Sequence, residues 1–98
     1  MKTSLSPAAL ADLAEILKLL ATESPSAARG FRERFRNVRT LLANYPAVGR
    51  QTDDPSLRCV NPGRYPYLVF FEVVGTQVVI MRIMHGARDP RSMPATPS

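Results

Sequence analysis

The spacing of apolar residues changes period midway along this chain. Leu10, Leu13, Ile16, Leu17 and Leu20 recur at the three-and-four interval of one helical face, with Asp12, Glu15 and Lys18 off the stripe. Ser6 precedes the run and Pro7 opens it. A serine oxygen there can accept from the first unpaired helical N–H groups, and proline has no N–H to satisfy. The spacing predicts a first helix over 7–22. Ser24-Pro25 repeats the signal, and Ala28, Phe31, Phe35, Val38, Leu41 and Leu42 make a second apolar face. Asn44-Tyr45-Pro46 closes it, because a residue before proline is pushed out of the helical region. Two helices joined by only two or three residues must fold back as an antiparallel hairpin.

After a polar, turn-prone stretch over 47–55, the period falls towards two. Residues 57–60 read as a short strand and Asn61-Pro62-Gly63 as a turn. Residues 65–73 and 77–84 read as a hairpin about Val74-Gly75-Thr76. On its first strand Tyr67, Val69, Phe71 and Val73 share one face, and Leu68, Phe70 and Glu72 the other. With both faces apolar, one should cover the helices and the other meet a partner or a further element. Pro66 predicts a bulge or an unpaired position within that strand. Residues 1–5 fit an edge strand. The expected architecture is α+β, in the order β-α-α-β-β-β, with a helical hairpin on one face of a small antiparallel sheet. Residues 1–92 form one domain, and 93–98, with Pro94 and Pro97, a flexible tail.

Composition narrows the function. One cysteine, Cys59, and one histidine, His85, allow neither an internal disulfide nor a zinc site built from this chain alone. No stretch reaches the roughly 18 to 20 apolar residues that span a bilayer, so a soluble, cytoplasmic protein without a membrane partner is expected. The formal charge is +5, and eleven of the thirteen basic residues are arginine. Guanidinium forks suit phosphates and carboxylates, which favours a polyanionic or acidic partner. Glycine-rich phosphate loops, dinucleotide fingerprints and paired metal-binding histidines are all missing, which disfavours conventional metabolic enzymes and any cofactor.

Three constellations remain. Arg29, Arg32, Arg36 and Arg39, spaced three, four and three apart, line one flank of the second helix. They are either a phosphate-tracking stripe or a solvated face shielding the apolar edge. Arg58, Arg64, Arg82 and Arg88 could converge across adjacent strands and stabilise charge in phosphoryl transfer. His85 closes the last strand, four residues before Asp89. The pair is either a proton-transfer dyad or a loop latch, and no serine, cysteine or second carboxylate is placed to complete a familiar catalytic set. Cys59, within an apolar strand, fits a small core residue.

In sequence order, LSPAALADLAEI, AARGF with LLANYPAVGR, LRCVNPGRYPYLVFFEV and VVIMRIMHGARD cover almost the whole chain except its tail. Together they resemble the RelE/ParE superfamily of bacterial toxins from type II toxin–antitoxin and plasmid-stabilisation systems. The asparagine–aromatic–proline run into Gly49-Arg50 and the final His-Gly-Ala-Arg-Asp carry most of the likeness. The resemblance implies the helical hairpin on an antiparallel sheet and a cognate ParD-like antitoxin, with the toxin a homodimer or in a hetero-oligomer with it. Growth inhibition is implied to follow one of two routes. ParE-like members inhibit DNA gyrase and are not hydrolases. RelE-like members cleave mRNA on the ribosome without metal; Arg58, Arg64 and Arg82 would then hold the scissile phosphate, with His85 as general acid and Glu72 available as a base. An inactive binding module of the same fold is a third reading. The strand end Ile83-Met84-His85 with Arg88-Asp89 looks more like the ParE side. RelE-like members usually carry a lysine-rich segment and a late aromatic, whereas here no lysine follows Lys18 and no aromatic ring follows Phe71 except the imidazole of His85. The expected target-facing residues are Arg82, His85, Arg88 and Asp89, and the expected antitoxin contacts are Leu68, Phe70 and Phe71 with exposed parts of the helices.

Overall fold

In the computed structural model of the chain, residues 1–63 and 66–86 are described, and the tail expected over 93–98 lies outside them. The elements run β1 (Lys2–Leu5), α1 (Pro7–Glu23), α2 (Pro25–Asn44), β2 (Arg50–Gln51), β3 (Arg58–Val60), β4 (Tyr67–Val74) and β5 (Gln77–His85). Both helices start where the serine–proline pairs place them. Ser6 Oγ accepts from the Ala9 amide at 3.0 Å and donates to the Met81 carbonyl at 2.8 Å, which pins the start of α1 to β5. Ser24 alone joins the helices. Its N–H donates to Leu20 O at 3.1 Å and ends α1, while its Oγ accepts from Ala27 N at 3.1 Å and begins α2. The hairpin is thus tighter than a two- or three-residue link. Ile16, Phe31, Phe35, Val38 and Leu42 are buried as the stripes predict, but Leu10 is 56% exposed and Ala9 takes the buried place at the head of α1.

The sheet has five strands in the order β1-β5-β4-β3-β2. β1 runs parallel to β5, pairing Lys2 with Gln77 and Leu5 with Ile80, and every other pairing is antiparallel. The sheet is therefore mixed: β2 to β5 form the expected antiparallel sheet, and the edge strand β1 joins it in parallel. β2 is the strand the periodicity misses, because two residues have no alternation to display. Gly75, at φ 62°, makes the first position of a two-residue loop before Thr76, the mirror-image turn that matches strand twist.

No break occurs within β4 at Pro66, which precedes the strand. The register shift lies instead between Phe70 and Phe71: Phe71 pairs with Ile80 and Phe70 with Arg82, leaving Met81 as the extra residue on β5. That bulge changes the phase of β5. Val78 and Ile80 face the helices before it, and Ile83 faces them after it, so all three join one core. The core packs Phe31, Phe35, Val38 and Leu42 of α2 and Ile16 of α1 on Tyr67, Val69 and Phe71 of β4. On the helix-free face, Leu57, Cys59 and Phe70 form a second cluster edged by Leu68, Met81 and Met84. Val73, expected to share the core face, is 46% exposed. β3 pairs with Val69–Phe71, so among the described residues the end of β4 has a strand on one side alone.

Candidate functional site

β1 stops at the partner of Ile80, so among the described residues no strand lies on the outer side of residues 81–85 of β5. Side chains from the start of the helical hairpin take its place. Ser6 holds the Ile80 and Met81 carbonyls, and Asp12 Oδ2 accepts from the Ile83 amide at 2.9 Å. Arg82 then closes on the same carboxylate with Nε at 2.8 Å and Nη2 at 3.1 Å. Such a two-pronged, charge-assisted pair fixes orientation as well as position. It also plugs a sheet edge that would otherwise invite another strand.

Between α1 and this half of β5 lies a groove of about 460 Å³. Ile16, Leu19, Tyr67, Ile83 and Met84 give it an apolar floor, and Asp12, Glu15, Arg82 and His85 a polar rim. His85 is exposed at its mouth, its ring meeting Tyr67 edge-on at 5.4 Å and 78°. Tyr67 in turn meets Phe31 of α2 edge-on at 5.4 Å. The rim histidine therefore sits on an aromatic column rooted in the core.

Burial alone would raise the Asp12 carboxyl. The hydrogen bonds from Arg82 and the Ile83 amide, together with the Arg82 charge, outweigh it and hold the group below the usual carboxylate range. The same hydrogen bond raises Arg82. A carboxylate depressed in the folded state stabilises the protein above its unfolded value of about 3.9, and that contribution fades as pH falls further through the folded value. Asp12→Ala leaves the Ile83 N–H and the guanidinium without an acceptor and is expected to cost about 2 kcal/mol at pH 7. Paired urea titrations should show the deficit shrinking below about pH 4, and a deficit independent of pH would contradict this account.

The groove brings together Arg82 and His85 of the four predicted target-facing residues; Arg88 and Asp89, and with them the His85–Asp89 latch, lie outside the described residues. Of the four arginines expected to converge, Arg58 and Arg82 are described and point to different partners, and Arg64 and Arg88 lie outside the described residues. Arg58 and Arg82 sit two strands apart, roughly 10 Å between backbones. Arg58 donates to Gly49 O at 3.5 Å while Arg82 turns to Asp12. Glu72 is half-buried, paired with Val79 near the hairpin turn. Of the expected antitoxin contacts, Phe71 and Phe70 are 0% and 1% exposed, one in each apolar cluster, and Leu68 is half-buried. Cys59 is a buried core residue, its sulfur accepting from Arg50 Nε at 3.3 Å. Sequence reasoning missed Asp12, which looks like any solvent-face carboxylate on α1. Its one signal was Arg82, a charge inside an apolar strand that needed an opposite partner. No helix among the described residues is long and apolar enough to cross a membrane.

Residues 4–90 match the family described as the ParE toxin of the type II toxin-antitoxin system, parDE. Among solved structures, a chain from the chromosomal ParDE TA system from P. aeruginosa is similar, with a TM-score of 0.75 at 24% identity over 87% of this chain and 95% of that one. At that identity the likeness speaks for the fold. No curated protein matches the chain.

Proposed function

The chain belongs to the ParE toxin family of type II toxin–antitoxin systems, and from that premise we propose that it inhibits DNA gyrase by gripping it with the end of β5. The carrying observation is that Arg82 is locked on Asp12, away from Arg58, while His85 stands exposed on the Tyr67 ring. A rigid, charged tip beside an apolar groove suits recognition of a protein surface. Phosphoryl transfer would instead require cations aimed at one shared point. Arg88 and Asp89 belong to the same tip in this reading. A ParD-like antitoxin neutralises the toxin, laying an extended acidic segment over the half-buried rim of Leu68, Met81 and Met84; the +5 charge and the helix-free apolar face support that partner.

A supercoiling assay with purified gyrase and relaxed plasmid tests the reading. Wild-type toxin should block supercoiling, and added antitoxin should restore it. His85→Ala should raise the half-inhibitory concentration about tenfold, the loss expected for a central interface residue. Full gyrase activity at large toxin excess would sink the proposal. Codon-linked cuts in translated mRNA that vanish in His85→Ala would replace it with ribosome-dependent cleavage.

A further inference from the structure

Among the described residues, Arg39 is the one arginine on the flank of α2 whose guanidinium is hydrogen-bonded within the fold. Arg39 donates to Thr3 Oγ1 and Thr3 O, both at 3.0 Å, and so caps the outer edge of β1. Arg29, Arg32 and Arg36 are exposed, and among the described residues the ion pair formed is Arg82–Asp12. Their placement works against the helix that carries them. Arg29 and Arg32 are three apart and Arg32 and Arg36 four apart, and like charges so placed repel along a helix face. No acidic residue occupies the first turn of α2 and no basic residue its last, so the macrodipole gives these arginines no support. Glu33, the one carboxylate in α2, lies among them without forming an ion pair.

We propose that the Arg29–Arg32–Arg36 ridge binds the phosphate backbone of duplex DNA, independently of the groove beside β5. Charge and geometry select this occupant. Guanidinium forks pair two-pronged with phosphate oxygens. The neighbouring exposed side chains on α2, among them Ser26, Glu33, Asn37 and Thr40, are polar and lack the buried aromatic or aliphatic anchor that a protein partner needs. No aromatic residue of α2 is exposed, which removes the stacking platform of single-strand binders. A helix about 10–12 Å across matches the roughly 12 Å major groove of B-form DNA and its flanking phosphates, whereas the A-form groove is too narrow for side chains to enter.

Fluorescence anisotropy of a labelled random-sequence DNA duplex of about 20 base pairs, titrated with toxin across a salt series, tests the ridge. Three phosphate contacts contribute about −2.7 to the slope of log K against log salt, equal to roughly 40-fold in affinity between 50 and 200 mM. Arg29→Gln/Arg32→Gln/Arg36→Gln should lose that part of the slope. The charge-matched control Lys18→Gln/Arg34→Gln/Arg50→Gln should keep it, since Arg34 lies on the opposite flank against Gly63. Circular dichroism verifies folding, and Arg32→Gln alone, with an expected slope change of about 0.9, serves if the triple variant does not fold. Equal losses in variant and control would overturn the proposal. So would displacement of the duplex by polyglutamate, or by duplex RNA, as readily as by unlabelled DNA.

Discussion

Phe31→Ala is expected to lower the unfolding free energy by about 3–5 kcal/mol, the cost of truncating a buried aromatic and leaving its cavity. Phe31 is 0% exposed, and among the described residues Phe35 stacks on it at 6.4 Å and Tyr67 meets it edge-on at 5.4 Å, with His85 beyond Tyr67. A small domain has only about 5–15 kcal/mol in total, so much of its stability rests on this ring. Urea denaturation followed by circular dichroism gives the loss directly. Phe31→Leu, which fills most of the space, should recover more than half of it. The column also makes a second reading available. In a variant still folded, the His85 ring protons should shift in NMR as Tyr67 loses its support. A loss below 1 kcal/mol would mean that the helices close the cavity and that the column is not a structural axis.

Gly49→Ala should rank next, at about 2–4 kcal/mol from backbone strain together with overpacking. Gly49 has φ 87°, a region that residues with a Cβ rarely adopt, and its Cβ would lie 2.5 Å from the Cys59 carbonyl oxygen. The obstacle is backbone, so no side-chain rotation relieves it. Because Arg50 pairs with Cys59 at the next position, the substitution should detach β2 from β3. Hydrogen exchange would report this as lost protection in β3 while β4 and β5 remain protected. Gly75→Ala is the internal comparison: φ is 62° there, but nothing lies within 4 Å of the added carbon. It should cost only the conformational strain, about 1–2 kcal/mol. Equal losses at the two glycines would disprove the steric part of the account.

Much of this fold could be inferred from the chain because its local signals agree. The two serine–proline pairs set the helix starts, and Phe31, Phe35, Val38 and Leu42 set the buried face of α2. What stayed hidden depends on contacts between residues far apart. The parallel pairing of β1 with β5 leaves no mark on four residues of strand. The bulge at Met81 is visible only as Val78, Ile80 and Ile83 spaced two and then three apart, a pattern that makes sense once their shared face is known. Apolar character marks Leu68, Phe70 and Phe71 as candidate contacts on the two faces of β4, but it does not say which side chains the fold already covers. The candidate groove was half visible. His85 and Arg82 stood out by their chemistry, whereas Asp12 gains its role from an arginine 70 positions later in the sequence.

The neighbouring position of β1 and β5 also sets when the molecule can exist. Lys2 pairs with Gln77, 75 residues further along (77 − 2). At the roughly 5–20 residues per second of protein synthesis, the first strand waits on the order of 4–15 s for its partner to be made. α1 and α2, joined through Ser24, can form early, but their apolar faces have no sheet to cover until β4 and β5 arrive. The Asp12–Arg82 clasp and the groove beside it are assembled from both ends of the sequence. A ribosome still translating this chain therefore carries helices without a working tip, and the surface proposed to grip the target is completed only after nearly the whole domain has been synthesised.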